Sequence, residues 1–162
     1  GFDTVRYSLS PAGVTVNLAT GTATGGEGND TLSGFEAISG SPFGDTLIGN
    51  SAKNTLSGVD GDDRLAGGLG DDTLDGGAGT DFADYSGASA GVTVNLATRT
   101  SSGSDGVDTL ISIEGVFGSE FADQLIGSDG RMGSLGSAES CSPCELGTSA
   151  TLGPLIGAMS GG

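Results

Sequence analysis

A glycine opens every ninth residue from Gly40 to Gly76, without a slip. In that register the chain reads GSPFGDTLI (40–48), GNSAKNTLS (49–57), GVDGDDRLA (58–66), GGLGDDTLD (67–75) and GGAGTDFAD (76–84). GGEGNDTLS (25–33) and GSDGVDTLI (103–111) stand apart, and GSEFADQLI (118–126) is a looser copy. Asp or Asn holds the sixth position and an apolar residue, mostly Leu, the eighth. A fixed short period of this kind marks a stacked repeat, in which each unit buries its apolar face only against its neighbours.

The units read as about six turn residues followed by a three-residue strand. In such a strand the middle side chain opposes its neighbours, so Leu47, Leu56, Leu65 and Leu74 face one way and the flanking Thr, Ser, Arg and Asp the other. Two nonapeptides then close one coil (turn, strand, turn, strand), and stacked coils pair as parallel strands over a thin Leu ladder. VTVNL (14–18) and its copy (92–96) suit longer strands of the same stack. Independent β-hairpins fit less well, because two-residue hairpin turns need another spacing and one three-residue strand cannot stand alone.

A longer period lies over the short one and carries Asp3 onto Asp81. Segment 3–50 matches 81–128 at about half of its positions, and AGVTVNLAT occurs in both, at 12–20 and 90–98. The expected organisation is an N-terminal solenoid unit (1–39), a nonapeptide roll (40–84), a second copy of the unit (85–130) and an irregular tail (131–162). The tail holds CSPC (141–144), read as incidental cysteines rather than a redox pair or half a zinc site, and the mildly apolar TLGPLIGAM (151–159).

Charge narrows the function. The chain carries 21 acidic residues against 5 basic ones, a net charge of −16. Such a chain repels nucleic acid and anionic membranes, and it repels itself. No apolar stretch reaches the roughly 18 residues of a membrane span. No His is present, so neither a Ser-His-Asp triad nor an H-E-x-x-H site can form within these residues, and no catalysis is expected of them. The chain opens on Gly1 with no basic and apolar leader, and is read as a piece of a longer protein.

Stacking turn on turn, one coil apart, puts Asp45, Asp63 and Asp81 along one side and Asn54 and Asp72 along the other. Carboxylates one strand spacing apart, roughly 4.8 Å, repel unless a cation bridges them. Ca²⁺ takes six to eight oxygens and accepts main-chain carbonyls, which a Gly-rich turn can aim inward. Without His, and with thiols only in the tail, zinc and copper are poor fits; Mg²⁺ demands a stricter octahedron, and the EF-hand spacing is absent. An acidic solenoid without metal is the alternative, and the in-register acids at the turns speak against it.

GGLGDDTLD fits G-G-x-G-x-D-x-U-x, and the run resembles the RTX, or hemolysin-type, calcium-binding nonapeptide repeat over 25–33 and 40–84. The resemblance implies an all-β, right-handed parallel β-roll with Ca²⁺ held between alternate turns. Carried over residue by residue, it implies a first site of Val59, Gly61 and Asp63 with Gly76, Ala78 and Asp81. A second takes Ser41, Phe43 and Asp45 with Gly58, Asp60 and Asp63, and a third Asn50, Ala52 and Asn54 with Gly67, Leu69 and Asp72. Asn54 is neutral and weakens the third; Phe43 and Ala52 replace the glycine of position four. Asp72 and Asp123 have no acid one coil on, and the coil partners of Asp30 and Asp108 are not evident. About three sites are expected, concentrated in 41–81. The resemblance further implies a secreted, extracellular module that folds on Ca²⁺ after type I secretion. It leaves open a repeat spacer of a surface adhesin, or a non-catalytic appendage of a secreted protease, lipase or alginate epimerase. Calcium ions, and other domains of a larger parent protein, are the partners expected.

Overall fold

The computed structural model describes residues 1–26, 28–128 and 150–151, with no helix among them. The expectations for 131–162, including CSPC and most of TLGPLIGAM, lie outside the described residues. In chain order the strands are β1 (Thr4–Arg6), β2 (Val14–Asn17), β3 (Thr22–Gly25), β4 (Gly28–Thr31), β5 (Ala37–Ser39), β6 (Thr46–Ile48), β7 (Thr55–Asp60) and β8 (Arg64–Ala66). They continue as β9 (Thr73–Ala78), β10 (Phe82–Asp84), β11 (Thr93–Asn95), β12 (Thr100–Ser102), β13 (Thr109–Ile111), β14 (Gly115–Phe117), β15 (Gln124–Ile126) and β16 (Ala150–Thr151).

Odd and even members of the repeat fall into two sheets. In the first, β1, β5, β7, β9 and β13 run parallel in that order; in the second, β2, β6, β8, β10 and β14 do. The register steps by 18 through the nonapeptides: Ile38 pairs with Leu56 and Leu56 with Leu74, while Leu47 pairs with Leu65 and Leu65 with Ala83. The protein is thus an all-β parallel roll of 18-residue coils. Its core is the pair of inward ladders, Ile38–Leu56–Leu74–Leu110 and Val16–Leu47–Leu65–Ala83–Val116, every member of which is buried. A period of nine puts one apolar residue per strand at the same height on each side, so the two ladders meet. Each buried Leu contributes roughly 2 kcal/mol, a modest sum against ordering glycine-rich turns.

The two copies of the longer unit depart from simple coils. After β2 the chain folds back through β3 and β4 as an antiparallel meander, and β11, β12 and β13 do the same in the second copy. Antiparallel hairpins, which fit the nonapeptides less well, do occur in the longer units, inside the stack rather than as independent pieces. VTVNL does join the stack: Val16 pairs with Leu47 as Val94 pairs with Leu125. The copies also exchange sheets. β1 and β5 lie in the first sheet, whereas their counterparts in the second copy, β10 and β14, lie in the other.

Candidate metal centre

The turn before each strand places a position-six side chain under the roll's surface. Asp45, Asp63, Asp72, Asp81 and Asn54 are all buried, and so are Asp108 and Asp123. One hydrogen bond repeats along both sides. The amide of Asp45 donates to Oδ1 of Asp63 at 2.7 Å, and that of Asp63 to Oδ1 of Asp81 at 2.9 Å. On the other side the amide of Asn54 donates to Oδ1 of Asp72 at 2.7 Å, and that of Asp72 to Oδ1 of Asp108 at 3.0 Å. One carboxylate oxygen thus ties each turn to the turn below it.

The other oxygen separates the turns into two kinds. Oδ2 of Asp63, Asp72 and Asp81 is buried with no hydrogen-bond partner among the described residues. Position-one glycines are wrapped around these oxygens. A Cβ on Gly58 would strike Oδ2 of Asp63 as well as the Gly76 carbonyl oxygen; on Gly76 it would strike Oδ2 of Asp81 and the Ser112 carbonyl oxygen. A carboxylate oxygen without a partner and a carbonyl oxygen, both acceptors, therefore crowd one buried space. That arrangement costs several kcal/mol unless a cation or a proton enters. Burial pushes the Asp63 carboxyl up to about 7; the amide of Asp45 opposes this, and the charges of Asp45, Asp81 and Asp62 add to it. Burial likewise raises Asp72 to about 6, against the Asn54 amide and with the Asp108 charge, and it raises Asp81, with Glu114 adding to the effect.

In the second kind of turn the protein supplies the donors itself. Asp45 accepts from the Ser41 amide (2.6 Å), the Ser41 hydroxyl (2.7 Å) and the Val14 amide (2.7 Å). Asp123 takes the Ser119 hydroxyl (2.6 Å) and the Val92 amide (2.9 Å), both on Oδ1. Asn54 accepts from the Asn50 amide at 2.7 Å and donates to the Glu36 carbonyl at 3.2 Å. Asp108 takes the Tyr85 hydroxyl (2.7 Å) and the Ser101 hydroxyl (2.8 Å). Burial and the Asp108 charge push the Tyr85 phenol above its usual range, so it stays a donor.

Among the described residues no three His, Cys, Asp or Glu side chains converge on one point. A metal here has to draw most of its oxygens from the main chain, which suits calcium and excludes a zinc-like side-chain cluster. Residues 20–36, 39–74 and 48–83 match the RTX calcium-binding nonapeptide repeat, in four copies. The chain carries RTX repeats. It is, over these residues, a calcium-binding repeat module, and the RTX nonapeptide is a binding motif, not a catalytic one. A search of curated proteins returned no match. Among the described residues no helix is long and apolar enough to cross a membrane.

Each ligand set expected from the sequence has a definite place in this RTX frame. Val59, Gly61 and Asp63 stack on Gly76, Ala78 and Asp81: Val59 pairs with Gly77 and Asp60 with Ala78. The Ala78 carbonyl already accepts the Gly61 amide at 2.8 Å. Val59 holds φ 90°, as Gly68 and Gly77 do at the same position with 91° and 97°. Ser41, Phe43 and Asp45 stack on Gly58, Asp60 and Asp63, with the Phe43 carbonyl oxygen against Gly61, but both Asp45 oxygens are engaged. Asn50, Ala52 and Asn54 stack on Gly67, Leu69 and Asp72, with the Asn50 and Ala52 carbonyls facing Gly68 and Gly70. One expectation is corrected. Asp72 does have an acid in the next turn, Asp108, and it lies 36 positions on because the chain from 85 to 108 loops out before the coil resumes. For the same reason Glu114, which accepts the Asp81 amide at 2.9 Å, escaped the coil spacing.

Proposed function

We propose that this chain is a calcium-triggered folding module of a secreted protein. The observation that carries the reading is the set of three buried, donor-free oxygens on Asp63, Asp72 and Asp81. Bound calcium supplies positive charge to oxygens that the fold itself leaves uncompensated. Val59, Gly61 and Asp63 with Gly76, Ala78 and Asp81 form the first site. The Asp81 turn with Ser112 and Glu114, and the Asp72 turn with Asp108, extend the series beyond the sequence-derived sets. The Asp45 and Asn54 turns, whose donors are internal, contribute weakly.

Without the ion, two thin ladders oppose a backbone cost of roughly 1–2 kcal/mol per residue and a net charge of −16. The nonapeptide coils are then unfolded at submicromolar calcium and ordered near the millimolar level of extracellular fluid. This supports a chain kept extended inside the cell, exported by a type I route and folded outside. A calcium titration followed by circular dichroism tests it. Strand signal should appear with a midpoint in roughly the 10⁻⁴–10⁻³ M range; an unchanged spectrum up to about 10 mM, well above that range, rejects it.

A further inference from the structure

The N-terminal end of the roll shows the same two strand edges that, in the second unit, are covered by a nonapeptide coil. In the second unit, β10 lies on β8 and β13 on β9. The Phe82 amide donates to the Asp63 carbonyl at 2.9 Å, and the Thr109 amide to the Asp72 carbonyl at 2.8 Å. Their counterparts in the first unit are Thr4 on β1 and Thr31 at the end of β4. Among the described residues β1 and β4 are the terminal strands of their two sheets, and β4 is exposed throughout. Burial tells the same story. Ala83 and Leu110, under the coil, are 0% and 1% exposed, while their counterparts Val5 and Leu32 are only half-buried. The anchoring acid is present as well: the Tyr7 hydroxyl holds Oδ2 of Asp30 at 3.0 Å, as Tyr85 holds Asp108. Oδ1 of Asp108 receives the Asp72 amide of the covering coil.

We propose that this end is a docking face for one further RTX coil, of the chemistry of residues 63–80. One exchange of charge marks the fit. Asp84 pairs with Arg64 of its covering coil at 2.7 Å, and Arg6 stands at the place of Asp84. The coil that docks here therefore carries an acid where Arg64 stands.

The test is a chain in which a second copy of residues 63–80, bearing Arg64→Asp, directly precedes Asp3 and replaces Gly1 and Phe2. Amide hydrogen exchange is read at Thr4, Thr31, Phe82 and Thr109 in saturating calcium. Docking slows exchange at Thr4 and Thr31 by about a hundredfold or more over the parent chain, toward the rates of Phe82 and Thr109. Leu32→Asp in the extended chain abolishes that gain and leaves Phe82 and Thr109 protected. Because the tether keeps the coil at a high effective concentration, unprotected Thr4 and Thr31 beside protected Phe82 and Thr109 overturn the docking. Loss of calcium-dependent protection at Phe82 and Thr109 themselves would instead count against the calcium reading. Parent chain that self-associates in calcium, with Thr4 and Thr31 already slow, assigns the face to a second copy and overturns the proposal.

Discussion

At the residue scale, position two decides what a turn does with its carboxylate. With glycine or Val59 there, Oδ2 of the following aspartate has no partner; Ser41 and Ser119 each donate a hydroxyl to Oδ1, and the Ser41 amide donates to Oδ2 of Asp45. Replacing Ser41→Gly should remove one donor from Oδ1 of Asp45 while leaving the amide bond to Oδ2, costing about 1–3 kcal/mol. Urea denaturation in saturating calcium reads the loss. Val59 occupies a backbone conformation at φ 90° that side chains rarely adopt. Val59→Gly should therefore raise calcium-loaded stability by about 1 kcal/mol, the relief of strain exceeding the entropy that glycine adds. Protons compete with calcium at the same oxygens. Folding without metal raises Asp63 from 3.8 to about 7 and Asp72 to about 6, so the metal-free fold loses stability as pH climbs from about 4 to about 7. Calcium must displace those protons. At acid pH, where those protons hold the metal-free fold, calcium should bind less tightly and release protons; near neutral pH, where the metal-free coils are unfolded, it should release few. Titrations in buffers of different ionisation enthalpy measure that release.

At the element scale, the strands were legible and their interruptions were not. Leu47, Leu56, Leu65 and Leu74 announce themselves by spacing alone, because a strand with one inward residue has no freedom over which one it is. Leu65→Ala should cost about 3 kcal/mol and shift the calcium midpoint upward, since Leu65 packs in register with coils on both sides. Asp108 and Glu114 were missed as partners of Asp72 and Asp81. The loop from 85 to 108 breaks the count in sequence while leaving it intact in space, and no local propensity records that. The role of Ser41 was missed for a related reason: its hydroxyl matters only once the turn has bent it back over Asp45. At Tyr85, burial at 4% exposure makes the hydroxyl bond to Asp108 structural. Tyr85→Phe should cost about 1–3 kcal/mol, read by thermal unfolding in calcium.

On the scale of the whole molecule, the proposed calcium response turns on charge. Most of the acids lie in or beside the turns, where the proposed cations would offset their repulsion. The two turn types occupy different stretches: the turns of Asp45 and Asn54, early in the nonapeptide run, and of Asp108 and Asp123, in the second unit, have Ser, Asn and Tyr donors, and the turns of Asp63, Asp72 and Asp81 leave Oδ2 without one. The exchange of sheets between the two units has a geometric result of its own. Each step of the longer period hands the strand that began on one wall to the opposite wall. A longer rod built on this period would carry its rows of ions first on its left flank and then on its right, like footprints along a path.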